Sequence, residues 1–239
     1  MNGLPGVVLL DLDDTIVRFS AAGDECWDVL CSQFAPRLGV RTPDLRAAVD
    51  RSAQAYWSDA ERHRVGRLDL RATRRVIVRT ALGDLGVADD EIAQELADRF
   101  TVEREERVRP FPGAVETLRH LRDHGQRLGL LTNGSSEFQR RKIERFDLGR
   151  FFDVILIEGD LGFGKPDHRV FQRALDELGA APADAWMIGD NLEWDIEPAQ
   201  QLGILDVWVD HAGSGLPLTS SIAPTHTITG LAALADIIG

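Results

Sequence analysis

Residues 7–10, Val-Val-Leu-Leu, form an unbroken apolar run that stops against Asp11. An apolar run without alternation predicts a strand buried on both faces, as inside a parallel sheet. The pattern then changes. From about 17 to 108, apolar positions recur at the helical period, as at Trp27, Leu30, Cys31 and Phe34, and no strand signal appears. Helices are predicted over 22–38, from 42 through Trp57, over 69–82 and over 89–106, with a turn at 83–86. Gly39 suits the end of the first, and Thr42 and Pro43 suit the N-cap and first turn of the second.

Pro110-Phe111-Pro112-Gly113 is a dense cluster of breakers. Beyond it the two periods alternate. A helix over 114–124 precedes a strand over 127–131, and a helix over 137–146, capped by Ser135 or Ser136, precedes a strand over 152–157. A glycine-rich loop then leads to Lys165-Pro166. Helices over 169–178 and 196–202 flank a strand over 185–188, and short strands over 206–209 and 226–228 finish the chain. Such alternation means βαβ units. The expected fold is α/β: a Rossmann-like three-layer core around a parallel sheet (1–16 and 108–239), with a helical domain (17–107) inserted after the first strand.

Composition narrows the function classes. A net charge of −12 over 239 residues argues against a nucleic-acid or anionic-membrane surface. No stretch approaches the ~20 apolar residues that span a bilayer, and no basic segment precedes the first apolar run, so no signal peptide is expected. Cys26 and Cys31 match no zinc or redox spacing. They read as buried free thiols in a reducing cytoplasm, the expected location. The six histidines are scattered, and each reads as a surface or loop residue. Lys142 and Lys165 are the only lysines among 27 basic residues.

Candidate chemistry gathers where strands end, since open α/β sheets keep their sites at the carboxyl edge. The first strand delivers Asp11, Asp13 and Asp14, a repulsive group that calls for a cation. The second delivers Thr132-Asn133-Gly134 before a helix N-terminus, a natural phosphate seat. Lys165 follows the glycine-rich loop, and Asp190 and Asp195 follow a further strand and Gly189. Taken singly, each has an ordinary reading: a capping turn, a strand-to-helix turn, a solvated loop lysine. Oxygen donors of this kind suit Mg²⁺. The most basic stretch, 62–75, reads as a solvated helix face, or as a surface for an anionic leaving group.

The four sites stand in order as DLDDT, LLTNGS, GKP and GDNLEWD. That order resembles the haloacid dehalogenase superfamily, and the helical insertion matches the position of its cap. The phosphatases of the helical-cap subgroup, nucleotidase-like and acylneuraminate-phosphatase-like members among them, are nearest in pattern. The resemblance implies a phosphoric monoester hydrolase acting on a small-molecule phosphate ester. Asp11 would be the nucleophile forming an aspartyl-phosphate, and Asp13 the general acid and base. Thr132 and the amides of Asn133 and Gly134 would bind phosphate, and Lys165 would balance charge. Mg²⁺ would be held by Asp11, the Asp13 carbonyl and Asp190, with Asp195 in support. Asp13 speaks against carbon–halogen cleavage, because dehalogenases of the superfamily lack an acid there. A phosphomutase, which shares the motifs, and a non-catalytic phosphoryl-accepting sensor are the rival readings. No nucleic-acid or membrane partner is expected, and the chain should be a monomer or homodimer.

Overall fold

The computed structural model describes residues 5–234 and divides into two compact units, one of residues 1–18 and 109–239, the other of residues 19–108. In the first, β1 (Val7–Leu10) lies between β2 (Arg127–Thr132) and β4 (Ala185–Gly189). With β3 (Val154–Ile157), β5 (Leu205–Val209) and β6 (His226–Ile228) they form one parallel sheet in the order β3-β2-β1-β4-β5-β6. All four β1 residues are fully buried, as the apolar run requires. Val7 and Leu9 pack on one face with Val170, Phe171, Ala174 and Leu178 of α9 (His168–Leu178), while Val8 and Leu10 alternate to the other. The result is the expected Rossmann-like α/β fold.

Strand order determines where a site can form. The chain runs from β1 outward through β2 and β3, then crosses back to β4 on the other side of β1. The carboxyl ends of β1 and β4 therefore flank the topological switch point, where crossover connections diverge and leave a crevice. Beyond β1 the chain turns back: Asp14, in the left-handed region at φ 59°, donates its amide to the Val17 carbonyl at 2.8 Å. Val17 pairs antiparallel with Pro110, so the outgoing and returning connections run side by side.

The second unit holds α1 (Ser20–Leu38), α2 (Thr42–Trp57), α3 (Ala60–Gly66), α4 (Leu70–Asp84) and α5 (Asp90–Arg107). Its core joins Leu30 and Phe34 of α1, Leu45 and Val49 of α2, Val78 and Leu82 of α4, and Leu96 and Phe100 of α5. Trp27 and Phe100 stack at 3.8 Å between ring centroids. Asp59, Asp69 and Asp89 cap three of the helices by accepting an amide hydrogen bond from the first turn. Cys26 and Cys31 are buried free thiols, as expected. No described helix is long and apolar enough to cross a membrane.

Several local expectations need correction. Thr42 lies within α2, whose N-cap is Arg41, with no side-chain bond to the helix. The stretch 62–75 is split between α3 and α4; there the solvated-face reading holds for Arg64 and Arg75, exposed and paired with Glu61 and Asp98. Arg74, by contrast, is buried beneath the Phe100 ring. The glycine-rich loop contains a four-residue helix, α8 (Glu158–Leu161). Among the histidines, His211 is a loop residue as expected, in the turn after β5, half-buried and stacked on Phe111 at 3.6 Å.

Candidate active site

Asp11 is still part of the sheet when it reaches the crevice, because its amide donates to the Ile188 carbonyl of β4 at 3.0 Å. That bond fixes the backbone from which the carboxylate projects. The residue is 7% exposed, and its side chain accepts a hydrogen bond from Lys165 Nζ at 2.6 Å. Lys165 comes from the loop after α8, where its backbone is pinned by the Asn133 amide group. Asn133 Nδ2 donates to the Lys165 carbonyl at 2.7 Å and its Oδ1 accepts from the Lys165 amide at 2.8 Å. A Cβ at Gly164 would run into that Oδ1, which explains the glycine before the lysine.

The end of β4 supplies the other acids. Asn191 caps the next turn, its Oδ1 accepting from the amides of Glu193 and Trp194 at 3.0 Å. That turn, Leu192–Ile196, is a π-helical segment leading into α10 (Glu197–Leu202), and it brings Asp195 back over Gly189. A side chain at Gly189 would occupy the space of the Asp195 carboxylate. Asp195 accepts from Lys165 Nζ at 2.6 Å through Oδ1 and from the Asn191 amide at 3.1 Å through Oδ2. Both its oxygens are thus engaged in holding other groups of the site. Asp190 accepts from the Thr15 hydroxyl at 3.4 Å, and its carbonyl accepts from Trp208 Nε1 at 2.8 Å.

Asp11, Asp190 and Asp195 can each present a ligand atom within 4.8 Å of the other two. Burial and the charges around it push Asp190 up to about 9. Burial pushes Asp11 up to about 7, against the pull of Lys165. For Lys165, burial alone would lower the ammonium, but the Asp11 and Asp195 charges outweigh it and raise its pKa. An Asp11 carboxyl near 7 is partly protonated at neutral pH and is then no nucleophile. A divalent cation among the acids would restore its charge, and an all-oxygen donor set fits Mg²⁺.

The Asp13 carboxylate stands outside this set. It accepts from Lys142 Nζ at 2.5 and 2.6 Å and from Gln139 Nε2 at 3.0 Å. The same Gln139 nitrogen donates to Thr132 Oγ1 at 2.8 Å, so Thr132 and Asp13 are joined through one side chain. The Gly134 amide donates to the buried Glu158 carboxylate at 2.9 Å. It is therefore already engaged, unlike the phosphate donor expected from the sequence.

Residues 5–203 match the family model described as haloacid dehalogenase-like hydrolase. The chain belongs to the haloacid dehalogenase-like hydrolase family. It is 34% identical over 224 residues to a phosphoserine phosphatase from Thermus thermophilus, covering 85% of this chain and 88% of that one. Against N-acylneuraminate-9-phosphatase from Rattus norvegicus the identity is 38% over 113 residues, 47% and 45% of the two chains. Among solved structures, a putative hydrolase of the family from Bacillus subtilis, YfnB, bound to magnesium, superposes with a TM-score of 0.77. That match has 25% identity and covers 99% of each chain. As a haloacid dehalogenase-like hydrolase the chain is an enzyme, in keeping with the phosphoric monoester hydrolase expected from its four motifs.

Four residues of the site went unread in the sequence: Gln139, Lys142, Glu158 and Trp208. Lys142 alone carried a signal, as one of two lysines in an arginine-rich chain.

Proposed function

We propose that the chain is a Mg²⁺-dependent phosphatase that hydrolyses small-molecule phosphate monoesters through an aspartyl-phosphate on Asp11. The observation that carries this reading is a buried carboxylate at the switch point, ion-paired to a buried lysine and beside two further acids. Names of relatives support a phosphate ester: the Thermus thermophilus protein is a phosphoserine phosphatase and the Rattus norvegicus protein an N-acylneuraminate-9-phosphatase. YfnB, bound to magnesium, supports the metal.

Asp11 attacks phosphorus in line, forming an Asp11 oxygen–phosphorus bond as the bond to the leaving oxygen breaks. Asp13 delivers a proton to that oxygen. In the second step Asp13 takes a proton from water as the water attacks phosphorus, and the bond to Asp11 breaks to release phosphate. Lys165 balances charge on Asp11 and the transferring group. Thr132 accepts from Gln139, which leaves its hydroxyl proton for a phosphate oxygen, and the Asn133 amide is the second proposed donor. Asp11 and Asp190 would hold Mg²⁺ with the Asp13 carbonyl, while Asp195 orients Lys165. When bound, the metal supplies charge neutralisation between nucleophile and phosphate. The helical unit is proposed as the cap that selects the leaving group.

Phosphate release from p-nitrophenyl phosphate should require Mg²⁺, stop in excess EDTA and return when Mg²⁺ is restored. A screen over nucleotides, sugar phosphates and phosphoserine would then find the substrate class. Turnover undiminished by EDTA would overturn the metal-dependent reading.

The raised acids add a binding prediction. Without a cation, Asp11 and Asp190 keep protons that they lose in the unfolded chain, where the ordinary value is 3.8. The folded state then binds more protons, so their contribution to stability falls as pH rises from about 4 through about 9. Mg²⁺ competes with those protons. It should therefore raise Tm more at about pH 8.5 than at about pH 6, by thermal shift. Equal shifts at both would contradict the assignment of these acids as ligands.

A further inference from the structure

The chain has only two lysines, and each is buried against a different one of the three aspartates that follow β1. Lys165 holds Asp11, and Lys142 holds both oxygens of Asp13. We propose that Lys142, assisted by Gln139, is a positioning residue for Asp13, fixing the carboxylate in the orientation from which it serves the leaving group and the attacking water. This rests on the reading of Asp13 as the general acid and base.

Its physical basis begins with the backbone. Asp13 lies in the turn after β1, beyond the sheet ladder that fixes Asp11, so its side chain needs another constraint. Helix α7 (Ser136–Arg145) supplies it. Ser135 caps that helix directly after the Thr132–Gly134 turn, and Gln139 and Lys142 are three residues apart on one face, both buried. The three contacts they make leave the Asp13 carboxylate little rotational freedom.

Stability alone is a weak reason for such a pair, because a buried ion pair can often be replaced by apolar packing at little cost. The residue type is also informative. Arginine is the usual cation of this chain, yet a compact ammonium on a long stem lets one point charge face both carboxylate oxygens from within a helix. Finally, Gln139 touches both Asp13 and Thr132, and its Nε2 also reaches the Asn133 carbonyl at 2.5 Å. The helix that follows the proposed phosphate seat thereby sets the distance between phosphate and proton donor.

The test compares kcat/KM for p-nitrophenyl phosphate and phenyl phosphate, which differ in how much the leaving oxygen needs a proton. Asp13→Asn and Lys142→Met should each lose about 10-fold or more on phenyl phosphate beyond any loss on p-nitrophenyl phosphate. Lys142→Arg should recover part of that selective loss, and Gln139→Leu should show a smaller one should Lys142→Met fold poorly. Mg²⁺ binding, followed by thermal shift, should persist in all four. Asp13→Asn losing phenyl phosphate selectively while the Lys142 and Gln139 variants lose both substrates equally, or neither, would overturn the inference alone. No selective loss in Asp13→Asn would overturn the acid/base reading and the inference with it.

Discussion

Asp11→Asn should abolish phosphate release while leaving a folded protein. The amide keeps the shape of the carboxylate but offers no anionic oxygen to attack phosphorus, and no other group stands in its place. The expected loss is about 10⁴-fold or more in kcat, the scale on which removal of a covalent nucleophile is felt. Radiolabelled substrate should leave no acid-stable label on the variant after quenching. Folding should survive because burial already disfavours the Asp11 charge, pushing its pKa up to about 7. Replacing it with a neutral isostere removes that cost, and Lys165 retains Asp195 at 2.6 Å. In EDTA the variant should therefore melt near the wild-type temperature, and Mg²⁺ should shift it less than it shifts the wild type. Undiminished turnover would sink the proposed mechanism.

What could be read in advance depended on whether the information was local. Buried strands announce themselves as apolar runs, so β1 and β4 were legible, and the alternation of periods led directly to a parallel sheet. The acids of the site were legible because strand ends are where such folds place chemistry. Their partners were not. Lys142 meets Asp13 across 129 positions of sequence, and periodicity says which face of a helix is inward without saying what it faces. The same limit hid Glu158, which takes the Gly134 amide expected to bind phosphate. The π-helical turn at Leu192–Ile196 was also illegible, since it follows from Asn191 accepting the amides of Glu193 and Trp194 and from Asp195 folding over Gly189. Sequence placed Asp11 and Asp13 in one motif; structure turns them toward different lysines.

Lys165→Met tests the opposite side of the same balance, and here stability and activity should fall together. Lys165 is 2% exposed and lies between two carboxylates that are themselves buried. Deleting one member of a buried charge network leaves the others uncompensated, at a cost of about 3–5 kcal/mol. For a chain of this size that corresponds to a fall in Tm of roughly 10 °C. The cost should depend on pH in a definite direction. Without the lysine, Asp11 and Asp195 lose the cation that lowers the energy of their ionised forms. At about pH 6 Asp11, whose carboxyl burial already pushes up, can take up a proton and stay neutral, whereas at about pH 9 its ionisation must occur in the low-dielectric interior or the fold must open. The destabilisation should accordingly grow as pH rises. Mg²⁺ should return part of it, because a divalent cation can neutralise the same acids, yet turnover should remain lost because the transferring phosphoryl group still lacks its lysine. Differential scanning calorimetry at the two pH values, with and without Mg²⁺, separates these effects. A variant whose Tm is unchanged at high pH would show that Asp11 and Asp195 do not rely on Lys165, and the charge balance proposed for the site would fall.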